Sequence, residues 1–176
     1  MALSLENLDS ITREYMHSEL ESDISNGTVY FSPRLIESGH SQYVVALRKA
    51  IIDFDDPWLA EQIRLGSILK DREQRRTRNG TTMAKVPATA PDTLAEGEFN
   101  RYYIRGLCLR AIADGIPELE IYRAKEVAIP RSDSQLLIGS KESVDILLRN
   151  ARVMPGSEDA LGLPHGPNSG LSVRLP

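Results

Sequence analysis

The sequence predicts a mainly α protein: a helical bundle around one central helix, at about residues 93–114, with a projecting β-hairpin and an extended C-terminal tail. Three observations lead to this. The segment TLAEGEFNRYYIRGLCLRAIADG, Thr93 to Gly115, carries the strongest helix signals in the chain. Lys70 to Val86 is polar, basic and centred on Asn79-Gly80, a pair that suits a tight hairpin because both residues tolerate positive φ. From Pro155 to Pro176, glycine and proline recur every few residues, which keeps helix and strand from persisting. The implied organisation is one helical domain over 1–154, carrying the arm at 70–86, and a docking tail over 155–176.

In the central helix, Thr93 and Glu96 stand at capping-box spacing, where hydroxyl and carboxylate each satisfy an orphan backbone N–H. Asp114-Gly115 supplies a left-handed stop, and Pro117 prevents continuation. Ile104, Leu107, Cys108, Ala111 and Ile112 share a face that Phe99 and Tyr103 extend. Gly97 and Gly106 each cost about 1 kcal/mol relative to alanine, which implies close approach of another backbone.

Ser4 is the expected cap of a first helix over about 5–24, with Leu5, Leu8, Ile11, Tyr15, Leu20 and Ile24 as its stripe and Asn26-Gly27 as its end. Its other side, with Glu6, Asp9, Arg13, Glu14, Glu19 and Glu21, reads as solvated. Thr28–Phe31 is β-prone, and a short turn from Ser32-Pro33 closes at Gly39. Ser41–Phe54 is the cleanest amphipathic helix, with Tyr43, Val44, Leu47, Ala50, Ile51 and Phe54 at helical spacing. Asp56 and Pro57 then read as cap and first residue of another helix bearing Trp58, Leu59 and Ile63. Val86–Pro91 is an extended linker, Glu118–Val127 a strand with Leu119, Ile121 and Val127 on one side, against which a helical reading competes, and 129–134 a loop. A last short helix carries Val144, Ile146, Leu147 and Leu148.

Composition bounds the function. The chain has 176 residues, ordinary globular proportions and a formal net charge of −4, so attraction to nucleic acid has to come from a local patch. One cysteine, Cys108, excludes an intramolecular disulfide and reads as buried and inert; a reducing compartment follows. The first residues lack the basic and apolar regions of a signal peptide, and no 18-residue apolar run exists to cross a membrane. His17, His40 and His165 are scattered, so no metal site and no cofactor is expected. Phosphate-binding glycine motifs and GxSxG are missing. A magnesium nuclease is rejected: Asp114 followed by ELEIYRAK has Arg123 where an acid is required two residues before Lys125.

Two stretches remain as candidates. Arg72, Arg75, Arg76, Arg78 and Lys85 make the hairpin a basic arm, suited to an acidic protein neighbour or to DNA phosphates. It has no interleaved aromatic for stacking on bases. In the tail, Leu171, Val173, Arg174 and Leu175 belong to an alternating stretch that can add as a strand to an exposed sheet edge. Glu98, Arg101 and Arg105 form a helical charge ladder that reads as a solvated or interface-facing flank; a deep polar pocket there would instead suggest an enzyme.

The segments AEGEFNRYYIRGLCLRA and GPNSGLSV resemble proteins found among phage structural genes. In outline the predicted architecture is similar to head-to-tail adaptor proteins of tailed phages, helical bodies that form rings beneath the portal. That resemblance implies a non-enzymatic virion role with a portal or tail protein as neighbour, or a cytoplasmic location if the chain is not phage-encoded.

Overall fold

A computed structural model describes residues 2–78, 80–128, 130, 132–153, 161 and 169–176. Helix α1 spans Ser10–Asn26, α2 His40–Asp53, α3 Asp56–Leu65, α4 Ala90–Ala113, α5 Ser132–Leu137 and α6 Val144–Val153. Strands β1 (Arg72–Thr77) and β2 (Gly80–Lys85) form one antiparallel sheet. Strands β3 (Glu118–Arg123), β4 (Lys141–Ser143) and β5 (Leu171–Arg174) form a second, in the order β4-β3-β5. The fold is therefore mixed α and β, with the hairpin present. None of the described helices is long and apolar enough to cross a membrane.

Helix α4 lies at the centre and is buried on nearly every side, its apolar side chains in the core and Glu98, Asn100, Arg101 and Arg105 buried beside them. Phe99, Tyr102, Tyr103, Ile104, Leu107, Cys108 and Ala111 are fully buried, and α1, α3 and α6 pack against it. Gly106 is what lets α1 in: a Cβ there would stand 2.6 Å from Met16 Cγ and 2.8 Å from the Met16 backbone nitrogen. The expectation of close backbone approach thus holds at Gly106. The helix stops as expected, with Gly115 at φ 73° and Ile116 N–H bonded to the Ala111 carbonyl. Its start differs. The helix begins at Ala90 with Pro91 in the first turn, and Thr93 donates its hydroxyl to the Thr89 carbonyl instead of forming the capping box. Proline suits a first turn because its missing N–H is one of the orphans there.

The first helix also starts later than predicted. Asp9, not Ser4, is the cap, accepting from Thr12 N–H at 3.0 Å. The preceding residues lie along β3 instead: Ser4 N–H bonds to the Ala124 carbonyl, and the Tyr122 hydroxyl donates to the Ser4 carbonyl. Helix α2 follows its predicted stripe, burying Tyr43, Leu47, Ala50 and Ile51. Phe54 departs from that stripe and is 42% exposed. The next cap is Asp55, which accepts from Trp58 N–H at 2.9 Å. Asp56, one residue on, turns inward and accepts from Leu3 N–H at 3.2 Å. Residues 28–31 form no strand, and 132–137 are helical where a loop was expected to run to 134.

The predicted docking tail needs the largest correction. Leu171–Arg174 does add to a sheet edge, but to the chain's own: Ile121 pairs with Val173 and Tyr122 with Ser172. Leu171 and Val173 are buried in the main core. Two apolar side chains reaching the α4 core, with backbone pairing along β3, supply the burial that the glycine-rich composition seemed to lack. The rest of the predicted tail, apart from 161, 169, 170, 175 and 176, lies outside the described residues.

Candidate partner-contact site

The charge ladder on α4 is not a solvated flank. Arg105 is 2% exposed and is held by two carboxylates from α1. Its Nε donates to Glu19 at 2.7 Å, and its terminal nitrogens reach Asp23 at 2.6 and 3.1 Å. The Tyr102 hydroxyl donates to the same Asp23 at 2.7 Å, and Arg152 on α6 closes on Glu19 at 2.6 and 3.0 Å. Beside this cluster, Arg101 bonds Glu98 at 2.7 Å and the Ala151 carbonyl at 3.3 Å. Both guanidiniums lie over the Tyr102 ring, about 5 Å from its centre. Burial opposes ionisation of Glu19, yet the Arg152 hydrogen bonds and the Arg105 charge outweigh it and hold the pKa below the ordinary value. Asp23 is likewise lowered, burial being outweighed by bonds from Arg105 and Tyr102. A carboxylate so committed has no basicity to lend to a reaction. The cluster ties α1, α4 and α6 together.

Cys108 is buried, and desolvation pushes its thiol up to about 12, so it stays protonated at neutral pH. That agrees with the inert reading. Among the described residues, no group of three or more His, Cys, Asp or Glu is arranged to hold a metal ion.

The hairpin arm has the opposite character. Segment 68–70 pairs with 34–36 at its root: Ile36 N–H bonds to the Ile68 carbonyl, and Lys70 N–H to the Arg34 carbonyl. The pairing of Thr77 with Gly80 places the two-residue connection at 78–79. That is one residue earlier than the predicted Asn79-Gly80 turn; Asn79 itself lies outside the described residues. Directly opposed residues share a face, and faces alternate along a strand. One face therefore carries Glu73, Arg75 and Thr77 with Ala84 and Thr82. This face is fastened to the body at Glu73, which Arg34 grips through two bonds; Arg75, on the same strand, also bonds Glu73 at 3.0 Å.

The outer face carries Arg72, Gln74 and Arg76 opposite Lys85, Met83 and Thr81. All six are exposed, Met83 at 55%. Among the described residues, Arg72, Arg76, Arg78 and Lys85 have no ion-pair partner. So Arg72, Arg76 and Lys85 come together on one surface, Arg75 sits on the other, and Arg78 is at the tip. Met83 at the centre of the cationic face was not singled out from sequence; only the strand register locates it. Between the arm's legs and α3 opens a cleft of about 300 Å³, bordered by Ile63, Arg64, Leu69, Lys70, Lys85 and Val86.

The tail candidates fare differently. Leu171 and Val173 are occupied in the core. Arg174 bridges Glu6 at 2.9 Å and Glu120 at 2.6 Å, and Leu175 is held through its N–H by Asn7. In this conformation the four serve the chain's own packing, which leaves the arm as the candidate contact surface. No protein-family model, curated protein or solved structure matches this chain.

Proposed function

We propose that the protein is a non-enzymatic structural subunit of a larger assembly, docking through the hairpin arm at 70–86, and that a phage head-to-tail adaptor is the role it fits best. The observation that carries this reading is the arm's outer face: exposed, cationic, centred on a methionine and, among the described residues, without ion pairs of its own. Such a face gains most from an acidic protein neighbour, because electrostatic complementarity sets register and speeds encounter. The helical body around α4 suits a scaffold, since its buried charges are consumed in holding helices together. With Leu171–Arg174 paired to β3 of the same chain, the docking role narrows to the arm.

The test is co-purification from the native source, with nuclease treatment, of the full chain and of an Arg72→Glu/Arg76→Glu variant. A discrete set of proteins captured by the former and lost with the latter supports an assembly subunit. Retention of nucleic acid alone, weakening steeply with salt and lost on replacing Arg75, Arg76 and Arg78, moves the reading to a nucleic-acid-binding accessory protein. Arg76 and Arg78, which have no ion-pair partner among the described residues, underlie that alternative. Identical behaviour of the two forms overturns the role of the arm.

A further inference from the structure

The arm has a counterpart elsewhere in the chain. Of 21 basic and 25 acidic side chains, six and two lie in residues 70–86, so the arm is net positive by four and the rest net negative by eight. Within that acidic remainder, the corner between α2 and α3 presents a built surface. Phe54, 42% exposed, stacks flat on Trp58 with ring centres 4.2 Å apart. Asp53 and Asp55 flank the pair and are exposed, as is Ile52. Arg13 lies beside them: its guanidinium donates to the carbonyls of Ala50, Ile51 and Phe54 at 3.2, 2.7 and 2.8 Å, and its charge offsets part of that of Asp53 and Asp55, leaving the corner net negative by one. Those bonds tie the end of α2 to α1. The result is a rigid aromatic pair between carboxylates.

The chemistry of the two surfaces matches. Guanidinium groups favour aromatic faces and pair with carboxylates, and a thioether packs well against an aromatic edge. Arg72, Arg76 and Met83 offer these groups on one flat face, and Phe54, Trp58 and Asp53 offer their complements. The two do not meet in one chain. The corner is at the start of α3 and the arm leaves from its far end, about 15 Å away along a ten-residue helix. The arm's root and inner face are fastened to segment 34–36, which leaves the outer face turned away from the body.

We infer that the arm's outer face docks on the α2–α3 corner of a second copy of this chain, a head-to-tail contact between unlike surfaces. The inference rests on the assembly reading above and names the neighbour that the arm meets. After one contact the pair keeps one unused arm and one unused corner, which either close on each other as a two-fold dimer or recruit further copies. Two six-residue strands present a face of only about 200 Å². A contact that small is weak, and its charged character makes it salt-sensitive.

Sedimentation velocity on the purified full chain tests this, from about 1 to about 100 μM at low and high salt. Concentration-dependent association at low salt, to a closed dimer or to larger species and reduced at high salt, is expected. Arg72→Glu/Arg76→Glu on the arm, and Asp53→Asn/Phe54→Ala on the corner, are each expected to weaken association at least about tenfold. Mixing the two variants restores one intact contact and yields a dimer that grows no further. Asp53→Lys repeats the corner test without disturbing the aromatic pair, and a cation at the end of α2 favours that helix. Thermal unfolding confirms that every variant is folded. A wild-type chain that stays monomeric at 100 μM and low salt overturns the inference, as does a corner variant that associates like wild type. If the monomeric wild type still captures other proteins through its arm, the self-contact falls and the assembly reading stands. If it captures none, both fall.

Discussion

The α4 core and the hairpin arm use the same side chain in opposite ways. In the core, Arg101 and Arg105 are dehydrated and saturated with carboxylates. On the arm's outer face, Arg72 and Arg76 are hydrated and without ion pairs among the described residues. A buried arginine constrains which helices pack and how; an exposed one is free to select a partner. The two regions should therefore separate stability from association.

The largest effect is expected at Arg105. Arg105→Ala leaves Asp23 and part of Glu19 buried without their guanidinium, and removing one partner of a buried pair typically costs about 3–5 kcal/mol. A urea denaturation midpoint well below wild type is the expected readout. An unchanged midpoint would mean that Arg152, Tyr102 and the Thr28 hydroxyl, which donates to Asp23 at 3.0 Å, suffice to hold the carboxylates.

Next comes Gly106→Ala. The methyl group gains about 1 kcal/mol of helix propensity, but it meets the Met16 backbone nitrogen at 2.8 Å, where a flexible side chain cannot simply step aside. Forcing α1 outward typically costs about 1–3 kcal/mol, so net destabilisation is expected in thermal unfolding. A rise in Tm would show that α1 is not seated this closely.

These two sites also show what sequence can and cannot carry. The apolar stripe of α2 and the close approach at Gly106 were legible, because periodicity and a glycine inside a helix are local signals. The Arg105 cluster was not. Its carboxylates lie 82 and 86 residues away on α1, where alternating acids look like any solvated helix face. Caps shifted by one residue where two adjacent aspartates, Asp55 and Asp56, offered equivalent chemistry. The basic arm was legible as a charge run, but its division into a fastened face and an outer face depends on register. Strand β5 was missed as a core element because glycine and proline around it signalled loop. Its four residues count through tertiary pairing with β3, which no local window contains.

Asp56 offers a smaller effect of opposite sign. Burial first, then the nearby Glu96 charge, push its carboxyl up to about 6, despite the hydrogen bond from Leu3. A raised carboxyl favours the protonated folded state, so its contribution falls as pH rises from about 4 through 6 and stays low above that. Glu19 and Asp23 have lowered values, so what they contribute is present above about pH 4 and lost as pH falls further. Asp56→Asn keeps the acceptor for Leu3 N–H and removes the charge. It is expected to stabilise the protein by about 1–2 kcal/mol at pH 7, with little change at pH 4. A variant that loses stability at pH 7 would show that the ionised carboxylate has a partner in the fold.

The smallest stability effect, and the one that most sharpens the contrast, belongs to the arm. Arg76→Ala removes an exposed side chain with no ion pair among the described residues, so unfolding should shift by no more than about 0.5 kcal/mol. The same substitution removes one of the outer face's cations, so association of the full chain should weaken and depend less on salt. Glu73→Gln gives the converse: it loosens the grip of Arg34 on the inner face while leaving Arg72, Arg76 and Lys85 intact. An outer face that recognises its partner only when held at a fixed angle would lose affinity in both variants. A face that acts as a mobile basic strap would lose it in the first alone.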